Sequence, residues 1–248
     1  MTRLDKLVRS AGAASRRELA ALIAQGRVLV DGLPATSCAQ QCGPDSEIRI
    51  DDIPLIRRED LTLMLHKKAG YLSATVSCRE PTVLELLPQQ YRSRQLFPVG
   101  RLDLDTEGLL LLTTDGDLCH QIIDPAQNIC KTYYARIRGT LQPDAAVAFA
   151  RGLAIDSGVV CRPARLLVLE QSQVLVQVTE GRRHQVKRML AAVGAKVQYL
   201  QRLAIGNLLL DPGLPCGSCR PLTPEELPLL SAPAPMEPAE IWARWRGR

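Results

Sequence analysis

The amino-acid sequence predicts an α+β protein that is divided between two domains. Its 248 residues exceed the length of one ordinary domain. Hydrophobic residues make up 46% and charged residues 23% of the chain, close to the averages of globular proteins, which excludes wholesale disorder and a coiled coil. Strand patterns mix with short helices and show no regular β-α-β succession, and this mixture is typical of an α+β fold.

The N-terminal segment predicts a small helix–helix–strand domain. Apolar residues recur at helical spacing over residues 4–11, and a glycine then ends this first helix. Ser15 and Glu18 have the spacing of a capping box, which predicts the start of a second helix. Residues 28–50 predict strands, two of them joined by a turn at Asp31-Gly32.

Positive charge is concentrated in this N-terminal segment. The whole chain has a formal net charge of only +5, which is a weak indication of a polyanionic partner. Residues 1–27 contain six basic residues against the two acidic residues Asp5 and Glu18, an excess of four. The six basic residues, which we predict to contact nucleic-acid phosphates, are Arg3, Lys6, Arg9, Arg16, Arg17 and Arg27. The alternative is a solvated helical surface.

Residues 59–231 predict the larger α+β domain. Apolar and alternating patterns predict strands at 61–65, 109–113, 131–137, 174–179 and within 196–210. Short helices are predicted at 81–87 and 184–193. The last segment, 232–248, is rich in Pro and Ala and is predicted to be a disordered tail. Trp242 and Trp245 could contact RNA there, but a dangling tail is the favoured interpretation.

The eight cysteines do not predict a metal site or disulfides. Cys38 with Cys42 and Cys216 with Cys219 are the closely spaced pairs, and neither has neighbouring histidines that would complete a zinc site. The N-terminus has no apolar signal segment, and no run of residues is long and apolar enough to cross a membrane. We therefore predict a cytoplasmic protein with reduced thiols, no metal and no membrane association.

The segment VGRLDLDTEGLLLLTTDGD, from Val99 to Asp117, is the most informative part of the sequence. Its oxygen-bearing residues resemble the start of a calcium-binding loop, but Thr114 stands at the twelfth position, where such a loop needs a bidentate glutamate. Asp103 and Asp105 could instead form a glycosidase pair, and the sequence does not give the separation of carboxyl groups that would test this.

Three motifs resemble those of one enzyme family. The segment GRLDLDTEGLLLLTTDGD resembles the signature of the pseudouridine synthases that carry an S4 domain and modify ribosomal RNA. The segments TEGRRHQVKRMLAAVGAKVQYLQRLAIG (179–206) and CKTYYARIRG (from Cys130) are similar to further motifs of that family. Near the N-terminus, RLDK, SRRE and QGRVLVDG resemble the S4 RNA-binding domain. The sequence departs from the family pattern at Lys68 and Arg183.

The resemblance implies a fold and a set of functional residues. Residues 1–58 would form the S4 domain, and residues 59–231 a catalytic domain with a mixed, mainly antiparallel sheet flanked by helices. Asp103 would be the catalytic carboxylate, acting as a nucleophile or as a base. Tyr133 would stack on the target base, and Arg188 would hold Asp103 in place. Because adjacent residues of a strand point to opposite faces, Tyr134 is expected to face away from the site. Arg101 would help to fill the space left by a base that has been flipped out of its stack.

The resemblance also implies the substrate. The expected partner is ribosomal RNA, either free or in a small-subunit assembly intermediate. Within the family, the motifs are most similar to those of the enzymes that modify 16S rRNA. A 23S rRNA target and a non-catalytic ribosome-assembly factor are the alternatives. The segment from 182 to 202 contains basic residues and no acidic residue, so Arg182, Arg183 and Lys187 are predicted to contact phosphates. The reaction needs no cofactor, and we expect a monomer.

Overall fold

The computed structural model describes residues 1–55, 60–155, 158–170, 172–232 and 234–247. The predicted domain boundary between residues 58 and 59 lies outside these ranges. The chain divides into two compact units. The N-terminal unit contains Met1–Leu61, Gln89–Leu96 and Thr114–Gly116, and the large unit contains Thr62–Pro88, Phe97–Thr113 and Asp117–Arg248.

The N-terminal unit confirms the predicted helix–helix–strand pattern. Its elements are β1 (Thr2–Arg3), α1 (Leu4–Ser10), α2 (Arg16–Ala24), β2 (Val28–Val30), β3 (Leu33–Pro34), β4 (Gln41–Cys42), β5 (Ile48–Ile50), β6 (Ile53–Pro54) and α3 (Gln89–Arg92). The capping box is formed, because Ser15 accepts from the Glu18 amide and the Glu18 carboxylate accepts from the Ser15 amide. The four-stranded sheet has the order β3-β2-β5-β6, and Leu4, Leu19 and Val28 lie in the buried core of the unit.

The large unit contains most of the strands. They are β7 (Thr62–Lys67), β8 (Phe97–Pro98), β9 (Glu107–Thr113), β10 (Lys131–Gly139), β11 (Ala154–Ile155), β12 (Val159–Val160), β13 (Arg165–Glu170), β14 (Gln173–Val178), β15 (Ala195–Ile205), β16 (Leu208–Leu209) and β17 (Cys219–Pro221). The α-helices are α4 (Gly116–Ile123), α5 (Ala145–Arg151), α6 (Gln185–Ala192) and α7 (Pro238–Arg246). Short 3₁₀ helices cover Val83–Leu86, Pro125–Gln127 and Leu227–Ser231.

One sheet of nine strands organises the large unit. Its order is β13-β14-β10-β15-β9-β7-β17, with β16 added to β15 and β8 added to β9. The pairing of β15 with β9 is parallel and the others are antiparallel, so the predicted mixed, mainly antiparallel sheet is confirmed. At the parallel crossing Gly108 has a φ of +104°, and a Cβ there would overlap the backbone of Arg202. Only glycine therefore allows β9 and β15 to approach this closely.

Helices cover both faces of this sheet. Phe149 of α5 and Met189 of α6 are buried in one cluster with Ala135 of β10. Ile241 of α7 is buried in another cluster, with Leu203 of β15. Because neighbouring residues of a strand point to opposite faces, one strand can contribute to both clusters.

The helix α7 corrects the prediction of a disordered tail. Trp242 stacks on Tyr134 with ring centroids 5.2 Å apart, Trp245 stacks on Trp242, and Ile241 is fully buried. The content of Pro and Ala suggested disorder, but Pro238 lies in the first turn, where its fixed φ favours helix initiation. Burial of large apolar side chains against the sheet then stabilises the helix. The tryptophans therefore pack against the protein rather than extend from it.

In the described ranges, no helix has the length and apolar character needed to cross a membrane. All eight cysteines are free thiols. Within the same ranges, no group of three or more His, Cys, Asp or Glu side chains is arranged to hold a metal ion.

Candidate active site

A cleft of about 770 Å³ in the large unit brings the three sequence motifs together. Asp103 enters it from the turn before β9, Tyr133 from β10, and His184 from the loop before α6. Asp103 and Tyr133, two of the three side chains to which the sequence assigned catalytic roles, therefore line one cavity.

Backbone and hydroxyl hydrogen bonds fix the turn that carries Asp103. The Thr106 amide donates to the Asp103 carbonyl at 3.1 Å. Just before the turn, the buried Ser73 hydroxyl donates to the Leu102 carbonyl and accepts from the Leu102 amide, each at 3.1 Å. The Gly70 amide donates to the Leu104 carbonyl at 2.8 Å. Gly70 and Ser73 thus bind the backbone of the two residues that flank Asp103, and these contacts fix the turn.

Lys67, which the sequence did not single out, is buried beneath the same turn. Its ammonium group donates to the carbonyl oxygens of Thr106 at 2.8 Å, Lys68 at 3.1 Å and Leu104 at 3.2 Å. Burial lowers the pKa of Lys67 to about 8, against the opposing effect of nearby carboxylates. The ammonium group of Lys67 therefore donates three hydrogen bonds to the backbone near Asp103.

The Asp103 carboxylate has two basic neighbours. Lys187 Nζ lies 3.3 Å from Asp103 Oδ2, and His184 Nε2 lies 3.7 Å from Oδ1. Lys187 also binds Asp105 at 2.5 Å. Partial burial raises the pKa of Asp105, but the hydrogen bond and charge of Lys187 outweigh it, and the pKa of this carboxyl is lowered. A lowered pKa does not suit Asp105 to the acid role that a glycosidase pair requires.

The structure does not place Arg188 beside Asp103, the contact that the resemblance implied. The Arg188 guanidinium donates to the carbonyl of Arg183 at 3.1 Å, and among the described residues the basic side chains within 4 Å of the Asp103 carboxylate are Lys187 and His184. Adjacent residues of a helix point about 100° apart, and in this helix it is Lys187 that points toward Asp103. The helix that the sequence motif singled out therefore does reach Asp103, through the residue before Arg188.

Glu180 and Gln185 fix the loop that leads into α6. The buried Glu180 carboxylate accepts from the Arg162 amide at 2.9 Å, from Gln185 Nε2 at 3.0 Å and from Arg182 Nε at 3.0 Å. Gln185 in turn accepts from the Arg182 amide at 2.9 Å. His184 adopts a left-handed φ of +51° at the start of the helix. Sequence reasoning missed Glu180, although an acidic residue beside a basic motif was a usable signal.

Tyr133 has the orientation that strand alternation predicted. It lines the cleft, whereas Tyr134 points to the other face, stacks on Trp242 and donates to Gln173 at 2.8 Å. Lys131 also lines the cleft, and Arg202 lies directly across from Tyr133 on β15. Arg202 was predicted as part of a phosphate-facing segment, but it is only 4% exposed.

Nine of the ten residues predicted to bind RNA fall into two sets, and the tenth, Lys187, is half-buried and pairs with Asp103 and Asp105. Arg101, Arg182 and Arg183 are exposed and line the cleft. The second set lies in the N-terminal unit, where Lys6 is half-buried and the other five are exposed, namely Arg3, Arg9, Arg16, Arg17 and Arg27.

Several of the N-terminal basic residues bind acidic residues of the same unit. Arg3 binds Asp5 at 2.8 Å, and Lys6 lies 3.0 Å from Asp115. The structure therefore leaves less unpaired positive charge in this unit than the sequence count suggests.

Known proteins match almost the whole chain. The RNA pseudouridylate synthase family matches residues 61–192, and the S4 domain family matches residues 2–48. The uncharacterized RNA pseudouridine synthase YtzG of Bacillus subtilis (strain 168) is 39% identical over 93% of this chain and 99% of its own length. Ribosomal small subunit pseudouridine synthase A of Escherichia coli (strain K12) is 38% identical over 91% of this chain and 98% of its own. A crystal structure of a pseudouridylate synthase aligns with a TM-score of 0.67 at 33% identity, covering 93% of this chain and 100% of that one.

Proposed function

This chain belongs to the RNA pseudouridylate synthase family, and on that premise we propose that it converts one uridine of small-subunit ribosomal RNA to pseudouridine through Asp103. The observation that carries the proposal is the position of Asp103, which lines the same cleft as Tyr133 and lies 3.3 Å from Lys187. The choice of small-subunit RNA is supported by the relatives that are named ribosomal small subunit pseudouridine synthase A.

The reaction begins when the target uridine leaves its stack and enters the cleft. A carboxylate cannot reach the ribose C1′ or the base inside a helix, so the nucleotide must flip outward. Tyr133 then offers a ring on which the uracil can stack. Arg101, at the rim, is placed to fill the space that the nucleotide leaves.

Asp103 then promotes breakage of the C1′–N1 bond. It acts either as a nucleophile on C1′ or as a base that removes a ribose proton, and both routes need a carboxylate that is fixed in direction. Lys187 of α6 and His184 of the preceding loop fix the direction of the Asp103 carboxylate, and Lys67 fixes the turn that carries it from beneath. We therefore assign to Lys187 the positioning role that the sequence gave to Arg188. The uracil rotates, and C5 bonds to C1′ with no added reagent or cofactor.

Binding of the RNA is divided between the two units. The exposed arginines Arg101, Arg182 and Arg183 would contact phosphates next to the flipped nucleotide. The basic helices of the S4 domain would hold the surrounding RNA, as free rRNA or as an assembly intermediate, and the chain would act as a monomer. Phosphate contacts offset the few kcal/mol that unstacking costs.

The variant Asp103→Asn tests the assignment of the catalytic carboxylate. We expect it to bind small-subunit rRNA as the wild type does and to lose at least about 10⁴-fold in pseudouridine formation, as expected when a nucleophile is removed. Asp105→Asn is the matched control, since Asp105 is 73% exposed and does not line the cleft, although it shares Lys187 with Asp103. Full activity of Asp103→Asn would contradict the mechanism.

Mapping pseudouridines in rRNA from cells with and without this protein tests the substrate. We expect one small-subunit site to depend on the chain. Loss of a large-subunit site instead would replace the 16S assignment with a 23S one. An unchanged map together with an altered assembly profile would indicate a non-catalytic assembly factor.

A further inference from the structure

Two basic side chains at the floor of the cleft take no part in binding Asp103. Lys131 and Arg202 lie on the neighbouring strands β10 and β15, and both line the cleft. Arg202 is the register partner of Tyr133, and Lys131 precedes Tyr133 by two residues. Cross-strand partners and residues two apart share one face of a sheet, so all three side chains lie on the face that holds the cleft.

The charges of Lys131 and Arg202 are not compensated within the protein. Among the described residues neither has a carboxylate partner, and their hydrogen bonds go to neutral carbonyls: Lys131 Nζ to Ile122 at 3.1 Å and Arg202 Nε to Leu109 at 2.7 Å. Arg202 Nη2 is buried and, in the described part of the chain, has no hydrogen-bond partner.

The carboxylates that line the cleft are already engaged elsewhere. Asp103 binds Lys187 and His184, and Glu180 binds the loop before α6. Burial and, secondarily, the Arg202 charge lower the pKa of Lys131 to about 8. A buried cation beside a half-buried one destabilises the fold unless a negatively charged group approaches them. A ligand that brings negative charge to the floor of the cleft would therefore compensate these two cations.

The depth of Lys131 and Arg202 within the cleft indicates which part of an RNA would bring the negative charge to them. Phosphodiesters must continue in both directions along the strand, so they stay at the rim, where the exposed Arg101, Arg182 and Arg183 lie. The base is the part of a flipped nucleotide that enters deepest. Lys131 and Arg202 are less exposed than these three arginines, so they face the base rather than the backbone.

We propose that Lys131 and Arg202 stabilise the negative charge that uracil carries after its bond to the ribose breaks, an inference that rests on the proposed function. When the C1′–N1 bond breaks, its electron pair leaves with N1 and is shared with O2 and O4. The ribose is then bonded to Asp103 through C1′, or has given its C2′ proton to Asp103. Bonding of C5 to C1′ breaks the Asp103–C1′ bond or, on the other route, is accompanied by return of the proton from Asp103 to C2′. C5 then loses its proton and N1 takes one up, so the isomerisation balances without a co-reactant.

The two side chains have different positions in this role. Lys131 is partly exposed in the cleft, so its ammonium group is the one that contacts a uracil oxygen. Arg202 lies deeper and adds charge that is already oriented when the bond breaks. Preorganised charge in a water-poor site is the most effective form of such stabilisation, because it requires no rearrangement during the reaction.

The variant Lys131→Met tests the proposal by removing the charge at nearly constant length. Single-turnover breakage of the C1′–N1 bond is measured as the conversion of an RNA fragment carrying uridine, or 5-fluorouridine, at the mapped position. This step is common to both substrates, whereas 5-fluorouridine has no C5 proton to release afterwards. Fluorine withdraws electrons and stabilises the detached base without help from the protein. We expect conversion of uridine to fall about 10²-fold, conversion of 5-fluorouridine to fall clearly less, and the Kd for RNA to stay within about twofold. Arg138→Met, at an exposed basic residue of the same strand, is the matched control and should behave as wild type.

The outcomes separate this inference from the proposed function. Equal losses on both substrates, or an unchanged rate, would overturn the role in stabilising the uracil charge. A weaker Kd with an unchanged rate would show that the pair binds phosphate. If Lys131→Met does not fold, Lys131→Gln, which keeps a donor for the Ile122 carbonyl, is measured in the same way. Absence of conversion by the wild-type chain would instead refute the proposed function itself.

Discussion

Arg27 of the N-terminal unit binds Asp51 at the protein surface, whereas Lys67 of the large unit binds three backbone carbonyls in the interior. Surface pairs of this kind contribute little to stability, and a polyanion can replace the acidic partner. Buried charges are costly, and they fix neighbouring groups because every donor must find an acceptor. The N-terminal unit thus carries charges that a polyanion can engage, while the large unit uses a buried charge to hold the turn that carries Asp103 in place.

Gly108→Ala should have the largest effect on stability. A Cβ at Gly108 overlaps the backbone of Arg202, so β9 and β15 would have to separate next to the Asp103 turn. We expect a loss of more than about 4 kcal/mol in the free energy of unfolding, measured by urea titration. Gly32→Ala is the matched control, because Gly32 also has a positive φ but nothing lies within 4 Å of its Cβ position. It should cost only about 1–2 kcal/mol. Similar losses at both positions would remove the distinction between a tightly packed and an open glycine.

Lys67→Met should destabilise the large unit by about 2–4 kcal/mol at pH 7, because three backbone carbonyls, that of Thr106 among them in a buried hydrogen bond, lose their donor. Circular dichroism during urea unfolding measures the loss. Pseudouridine formation should fall as well, since the turn that carries Asp103 loses its anchor. Lys68→Met, at an exposed neighbour, is the control and should leave the stability unchanged. An unaltered unfolding curve for Lys67→Met would show that the carbonyls find other donors.

The same variant predicts a pH dependence with a defined sign. Lys67 has a pKa of about 8 in the folded chain against an ordinary value of 10.5, so between these values the unfolded chain binds a proton that the folded chain does not. Stability contributed by this group therefore rises with pH over that window. The difference in unfolding free energy between wild type and Lys67→Met should grow by about 3 kcal/mol from pH 8 to pH 10.5. A constant difference would place the folded pKa of Lys67 near its ordinary value.

Lys187→Met should lower kcat about 10²-fold, because Asp103 loses the cation 3.3 Å away that fixes its direction. Arg188→Met should lower kcat less, since Arg188 donates to the Arg183 carbonyl. Steady-state kinetics on small-subunit rRNA compares the two. A larger loss for Arg188→Met would restore the assignment that the sequence motif suggested.

The sequence predicted what depends on local pattern. Alternation along β10 placed Tyr133 and Tyr134 on opposite faces, and capping chemistry located the start of α2. It could not show that Lys67 and Arg202 are buried, because a basic residue in a strand has the same local pattern whether its side chain ends in water or inside the protein. Their burial is decided by strands distant in sequence, such as the β9–β15 crossing at Gly108. Likewise, whether Lys187 or Arg188 faces Asp103 depends on how α6 packs on the sheet.

Ser15→Ala has the smallest predicted effect, and it tests the N-terminal unit, whereas the preceding variants, apart from the Gly32→Ala control, all change the large unit. Ser15 caps α2 on the surface of the N-terminal unit, and its loss leaves the Glu18 amide to be solvated by water. We expect about 1 kcal/mol of destabilisation, as for other N-cap serines. Because the cap lies in a separate compact unit, kcat on a short RNA fragment should not change.

Ser73→Ala is the matched substitution in the large unit, where the buried hydroxyl binds Leu102 beside Asp103. It should reduce kcat as well as stability, and equal effects of the two serines on kcat would contradict the proposed division of labour between the units.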